Sequence, residues 1–155
     1  MTEKEFTAAA ERHLDMVYRV ALNCLRNQAD AEDAAQTVLL RLWRSGQAFP
    51  DDDQLRYWLI RVTVNACKDA LRSPWRRRMV ALDRCREPAF AAPEHQALYA
   101  EVMALPAKYR LPLYLYYYEG YTAPEVGALL GLKPSTVQTR LSRAREKLKA
   151  QLKEE

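Results

Sequence analysis

TAPEVGALLGLKPSTVQTRLSRAREKLK, Thr122 to Lys149, decides the fold of this chain. Thr122 and Glu125 have the spacing of a capping box, and Pro124 is tolerated in a first helical turn. Val126, Leu129 and Leu130 recur on one helical face. Gly131 ends that helix as a residue free to take positive φ, and Pro134 suits the first position of the next, where a missing N–H costs nothing. Lys133 stands where Ser or Thr normally caps, so Ser135 is the alternative cap. Val137, Leu141, Ala144 and Leu148 form a buried stripe, leaving Gln138, Thr139, Arg140, Ser142, Arg143 and Arg145 outward. A short helix, a glycine turn and a basic second helix make a helix-turn-helix of the kind that reads a DNA major groove. The competing reading is an ordinary αα-hairpin with a solvated basic face.

The rest of the chain reads as helical too. No strand-like alternation or Asn-Gly hairpin occurs, and there are only four glycines in 155 residues. Helices are predicted over Phe6 to Arg26, with Leu14, Val17, Tyr18, Ala21 and Leu25 inward, and from Asp30 or Ala31 to about Arg44. Asn27 to Asp30 reads as a turn and Ser45 to Gln54 as a loop. A third long helix covers Leu55 to Arg72, with Leu55, Leu59, Val62, Ala66 and Ala70 inward and Trp58 beside them. Gln96 to Leu105 and Ala107 to Glu119 follow. In the latter Leu111, Leu115 and Tyr118 share one side, and Pro112 is expected in the first turn or at a kink. The run Tyr114, Tyr116, Tyr117, Tyr118 reads as core and packing surface. Ser73 to His95, with Pro74, Pro88, Pro93 and the triplet Arg76, Arg77, Arg78, reads as a linker, partly disordered when free. The expected organisation is all-α: a helical domain over 1–75, a linker over 76–95 and a helix-turn-helix domain over 96–155.

Charge is unevenly distributed. Residues 1–55 carry six basic and ten acidic side chains, residues 68–86 seven and two, and residues 133–155 seven and three. Two basic segments suit a polyanion touched at two places, and the acidic third requires a different partner. In the stretch Leu55 to Arg78, Arg61, Asn65, Lys68 and Arg72 are spaced 4, 3 and 4 apart, on one helical face. A row of cations holding one amide suits a phosphate track with a base contact in it, and a solvated face is the plainer alternative. Cys24, Cys67 and Cys85 contain no CxxC pair, which argues for a reducing compartment. With His13 and His95 they form no metal-ligand spacing. No P-loop, metal-ligand set or nucleophile–base pair is present, so neither enzymatic activity nor a cofactor is expected. No apolar run reaches membrane-spanning length and no signal peptide opens the chain, so a cytoplasmic protein without membrane insertion is expected.

Three motifs occur in order: D-A-E-D-x-x-Q from Asp30, W-L-x-R-x-x-x-N-x-x-x-D from Trp58 leading into basic residues, and L-P-x-x-Y-R from Leu105 before the helix-turn-helix. Together they resemble the extracytoplasmic-function (ECF) group of bacterial sigma factors, with region 2 at about 8–78 and region 4 at about 96–150. The resemblance implies that the D-A-E-D-x-x-Q helix binds the clamp helices of the RNA polymerase β′ subunit, through Asp33, Gln36, Leu40 and Arg41. Thr37 stands where relatives often have an acid and is not assigned a contact. It implies a −10 element read as single-stranded DNA, with a flipped base pocketed by the loop around Phe49 and by Asn65. Phe49 as a simple loop anchor is the alternative. Arg61, Lys68, Arg72, Arg76, Arg77 and Arg78 would hold the backbone. It implies that Ser135, Thr136, Gln138, Thr139, Arg140 and Arg143 meet the −35 duplex. Gln138 replaces a lysine common in relatives and is able to read an adenine edge. The β flap is a further implied partner, and an anti-sigma factor is another, since many relatives are held by one. A standalone helix-turn-helix regulator would share the last hairpin but would not need the D-A-E-D-x-x-Q helix. A helical adaptor with solvated basic faces would bind no DNA.

Overall fold

The computed structural model describes residues 1–72 and 96–153. Every regular element among them is an α-helix, and the chain divides into two compact units, Met1–Glu87 and Pro88–Glu155. The expected linker falls wholly outside the described residues.

The first unit contains α1 (Glu3–Leu25), α2 (Gln28–Ser45) and α3 (Asp52–Leu71). Local chemistry sets each boundary. Thr2 and Glu5 form a reciprocal capping box that starts α1 earlier than the apolar pattern predicts. Arg26 ends it in the left-handed region at φ 56°, an uncommon conformation for a residue with a Cβ. Asn27 then caps α2, its side-chain oxygen accepting from the Asp30 amide at 2.9 Å, so the predicted four-residue turn is nearly absorbed into helix. Gly46, at φ 62°, closes α2. Asp51 caps α3 through the Gln54 amide at 2.8 Å, which begins that helix three residues before the predicted Leu55.

All three helices pack against one another. Val17, Val20, Val38, Leu42, Leu59 and Ile60 are fully inaccessible to solvent. Each such side chain contributes roughly 1.5–3 kcal/mol of transfer free energy, an upper bound because the unfolded chain is already partly compact. The buried stripe of α1 runs through His13, Val17, Val20 and Cys24 rather than through Leu14, which is 42% exposed. Of the predicted stripe, Val17, Ala21 and Leu25 are buried and Tyr18 is half-buried, while Leu14 is exposed and the adjacent His13 is buried. On α3, Val62 and Ala70 are only half-buried, and Ile60, Thr63, Val64 and Cys67 take the interior positions beside Leu55, Leu59 and Ala66.

The second unit contains α4 (Gln96–Ala104), α5 (Ala107–Tyr117), α6 (Ala123–Leu130) and α7 (Pro134–Lys153). Leu105, Leu115, Val126, Val137, Leu141 and Ala144 form its centre, all at 1% exposure or less, and Leu148 is half-buried. The L-P-x-x-Y-R motif lies inside: Leu105, Tyr109 and Arg110 are all buried. The Arg110 guanidinium donates to the carbonyls of Leu105, at 2.8 Å, and Met103, at 3.3 Å. It thus satisfies acceptors that the end of α4 would leave orphaned, and places a cation at the negative end of that helix. Pro112 is the sixth residue of α5, beyond the first turn, so the Lys108 carbonyl receives no amide from it. Tyr118 is 63% exposed instead of inward. Its neighbour Glu119 is buried in its place and accepts a 2.6 Å hydrogen bond from the Tyr114 hydroxyl, while the Tyr118 ring stacks on Tyr114 at 5.1 Å. Tyr117 is exposed too, so the aromatic run is packing surface at Tyr114 and Tyr116 and open surface at Tyr117 and Tyr118.

The helix-turn-helix forms from the residues that predict it. Thr122 and Glu125 bond reciprocally, at 3.0 and 3.3 Å, and the backbone and hydroxyl of Thr122 hold the Glu125 carboxyl below its usual pKa. Gly131 takes φ 72°. Pro134 opens α7, and the Lys133 carbonyl accepts from the Val137 amide at 3.1 Å, so the helix starts ahead of Ser135. Gly127 matters equally and does not stand out in the sequence. The Leu132 amide donates to its carbonyl at 2.8 Å, the six-to-one bond of a Schellman ending. An added Cβ on Gly127 would sit 2.5 Å from the Leu132 oxygen.

Candidate nucleic-acid interface

Three exposed surfaces collect the residues singled out above. On α2, Ala31, Ala34, Ala35, Val38 and Leu42 face the core. Asp33, Gln36 and Leu40 are exposed on the opposite side in a row spaced 3 and 4, with Arg41 on its flank. Leu40 is 47% exposed, an apolar side chain set among polar ones. Trp43 closes the other flank and meets the edge of Phe6 at 5.2 Å. The Thr37 hydroxyl donates back to the Asp33 carbonyl at 3.1 Å and is spent within its own helix.

On α3, Arg61, Asn65, Lys68 and Arg72 are all exposed along one line, away from Leu59, Ile60, Thr63 and Cys67. Trp58 precedes this line by one turn on the same side and is half-buried. The half-buried Phe49 packs on it, ring centroids 5.6 Å apart and planes at 60°. The loop is held at both ends, by Gly46 in the left-handed region and by the Asp51 cap. Just beyond the cap, Asp52 accepts from Arg12 and meets His13, each at 2.9 Å, which ties the start of α3 to α1. The structure therefore brings Phe49, Trp58, Arg61 and Asn65 to one side of the unit. Trp58 is the residue that sequence reasoning passed over, although its spacing of 3 and 7 from Arg61 and Asn65 is visible in the chain. Arg76, Arg77 and Arg78, with Cys85 and His95, lie outside the described residues.

On α7, Ser135, Gln138, Thr139 and Arg143 are exposed, while Thr136 and Arg140 are half-buried. The Thr139 hydroxyl donates to the Ser135 carbonyl at 3.1 Å. Val137, Leu141 and Ala144 hold the opposite face against the unit, so the polar face is presented by a rigid helix. On the far flank Arg145 donates to the Tyr117 hydroxyl at 2.6 Å, tying α7 to α5. Among the described residues no group of three or more His, Cys, Asp or Glu is placed to hold a metal, and no helix is long and apolar enough to cross a membrane.

Comparison with known proteins places both units in one family. Residues 9–77 match the family description Sigma-70 region 2, and residues 95–148 match Sigma-70, region 4. The chain is 36% identical over 150 residues to the ECF RNA polymerase sigma factor SigE of Mycolicibacterium smegmatis, an alignment covering 89% of this chain and 58% of that protein. This chain thus spans under two thirds of that relative's length. Among solved structures, the sigma factor RpoE of Bartonella quintana, in complex with the anti-sigma factor NepR, shares the fold at TM-score 0.74 and 22% identity, over 97% of this chain and 98% of that one. CnrH in complex with the cytosolic domain of CnrY matches at TM-score 0.70 and 26% identity, over 99% and 91%. With both conserved regions matched in order along an all-α chain, the protein belongs to the sigma-70 family, in its extracytoplasmic-function group.

Proposed function

We propose that this chain is a promoter-specificity subunit that binds core RNA polymerase in the bacterial cytoplasm, reads a −35 duplex, and helps open the −10 element by trapping a flipped base. The observation that carries the reading is the pairing, in one small unit, of the Asp33–Gln36–Leu40 row on α2 with the basic row on α3. A DNA-binding regulator acting alone has use for the second row and none for the first.

Asp33, Gln36, Leu40 and Arg41 contact the β′ clamp helices in this reading, with Leu40 supplying the apolar centre of a polar patch. Phe49 and Trp58 wall the base pocket, and Asn65 bonds the base edge. Extrusion of a base costs a few kcal/mol, and stacking returns about 1–3 kcal/mol per base. Melting is thus driven by binding and needs no nucleotide hydrolysis. Arg61, Lys68 and Arg72 hold the backbone beside the pocket, and Arg76 and Arg77 extend that role beyond the described residues. Ser135, Thr136, Gln138, Thr139, Arg140 and Arg143 meet the −35 major groove. The domain limits remain 1–75 and 96–155, with 76–95 joining them and passing through the polymerase. The β flap is a further contact of the second domain. An anti-sigma factor is a further partner, of the class of the NepR bound to the RpoE relative.

Run-off transcription with purified core polymerase on a pool of promoter fragments tests this reading. Discrete transcripts that depend on Asp33 and Asn65 are expected. No transcripts and no co-elution with core polymerase would transfer the chain to the class of standalone DNA-binding regulators.

A further inference from the structure

At one end of the second unit three cations surround a single phenol. Lys108 Nζ lies 5.0 Å from the centroid of the Tyr109 ring and Lys147 Nζ lies 5.5 Å from it. Arg143 lies one helical turn before Lys147 on the same flank of α7. Burial raises the Tyr109 pKa, but the charge of Lys108 and the hydrogen-bonding reach of Arg143 outweigh this, so the net shift is downward. Lys108, Arg143 and Lys147 are exposed, whereas the tyrosine is buried and fixed. Among the described residues none of the three cations has a carboxylate partner. Cation–π attraction explains why a lysine rests on the ring, at about 0.5–1 kcal/mol for an exposed site. Nor does it neutralise the like charges that collect around the ring, which repel one another. A bound anion would.

The position of the cluster says which anion. Thr136, Arg140, Arg143 and Lys147 are spaced 4, 3 and 4 along one flank of α7. Eleven residues of helix span about 16 Å, more than the roughly 12 Å width of a major groove. A recognition helix whose first turns reach base edges therefore carries its residues three turns later to the groove wall, where the phosphates are. Lys108, delivered from α5, widens the end of the row into a clamp.

We propose that Lys108, Arg143 and Lys147, held around Tyr109, clamp a backbone phosphate of the duplex entered by α7. The clamp rests on the −35 reading above and adds to it a sequence-independent anchor. Arg143 belongs to both surfaces, as the residue where the base-reading face passes into the phosphate-holding one.

The test is anisotropy titration of the full chain with a labelled −35 duplex and a scrambled duplex, over a range of salt concentrations. The variants are Lys108→Gln/Lys147→Gln and, as a matched charge control, Lys149→Gln. Lys149 is exposed on the other flank of α7. Loss of the one clamped phosphate should flatten the log–log salt slope by up to about 0.9, with affinity falling by the same factor on both duplexes. Lys149→Gln should leave the slope near wild type. Lys147→Gln alone, expected to flatten it by a part of that, carries the test if the double variant folds poorly. An unchanged slope in the lysine variants, or an equal change in Lys149→Gln, overturns the clamp while leaving the −35 reading intact. Displacement of the wild type by inorganic phosphate beyond its ionic strength, with an unaltered slope in the variants, would mark a free-anion pocket and likewise overturn it. A wild-type chain that binds neither duplex overturns both.

Discussion

The Leu132 amide donates to the Gly127 carbonyl at 2.8 Å, and an added Cβ on Gly127 would lie 2.5 Å from the Leu132 carbonyl oxygen. The turn of the helix-turn-helix is thus folded back onto the helix that precedes it, with backbone against backbone. Gly127→Ala sets two effects against each other. Alanine is favoured over glycine in a helix by about 1 kcal/mol. The contact is with backbone, which has no rotamer to yield, and overpacking of this kind costs about 1–3 kcal/mol. We expect the clash to win. The second unit should melt earlier and −35 duplex binding should fall. A melting temperature equal to or above wild type would show that the turn relaxes freely.

Arg110 should prove structural, although a basic residue in a DNA-binding domain invites a contact role. It is 1% exposed and its donors are turned to the carbonyls of Leu105 and Met103. Hydrogen bonds from a charged donor contribute about 1.5–3 kcal/mol, and orphaned carbonyls add their own cost. Arg110→Met should therefore destabilise the second unit by about 2–3 kcal/mol in urea unfolding. Arg110→Lys should recover little, since both bonds leave one guanidinium nitrogen, Nη1, and the shorter lysine must carry a more strongly hydrated ammonium to the same buried point. A variant of wild-type stability with weakened DNA binding would reverse the assignment.

Asp52 gives a pH dependence of definite sign. His13 bonds it, partial burial opposes, and the charges of His13 and Arg12 add, leaving its carboxyl below the usual range. A carboxylate whose folded pKa is lowered contributes fully above its unfolded value near pH 4 and loses that contribution as pH falls through the folded value. Its side chain is 53% exposed, so the contribution is on the order of a few tenths of a kcal/mol. Asp52→Asn should lose a little stability at neutral pH and show a shallower fall on acidification below about pH 4. The same acid slope in variant and wild type would mean that the tie to α1 is energetically silent.

What was legible in the chain follows from the range of each interaction. Thr122 with Glu125, Gly131 and Pro134 act within four residues, and all three marks predict the helix ends that form. The exposed rows on α2, α3 and α7 follow from helical period alone, once the apolar side is known. Contacts across the fold were not legible. Arg110 and Glu119 are charged residues placed in an interior by partners several residues away, and no local pattern announces them. His13 displaces Leu14 from the core because Asp52, on another helix, supplies its partner. Gly127 looks like an ordinary helical glycine until the turn is folded over it. In the candidate −10 site the distinction is the same. Asn65 is readable from spacing, whereas the packing of Phe49 on Trp58 joins a loop to a helix and had to be seen.

That packing separates two roles that a simple loss of activity would merge. Phe49 and Trp58 hold each other at 5.6 Å on the side of α3 that bears Asn65. If they wall a base pocket, Asn65→Ala removes a base-edge contact and leaves the wall standing. The loss should be confined to opening of the −10 element, and a contact of about 1–3 kcal/mol corresponds to roughly 5- to 150-fold in open-complex formation. Co-elution with core polymerase and −35 duplex affinity should not change, because Asn65 is exposed and supports no buried contact. Trp58→Ala should do more: it frees Phe49, loosens the loop between Gly46 and Asp51, and reduces opening even on a promoter that is already mismatched at −10. Asn65→Ala, by contrast, should be partly rescued on that mismatched promoter only through the cost of unpairing, with base preference still relaxed. Potassium permanganate footprinting on matched and mismatched templates reads both. If the two variants behaved alike on both templates, Asn65 would be a part of the fold of α3 and the base edge would have to be read by another residue.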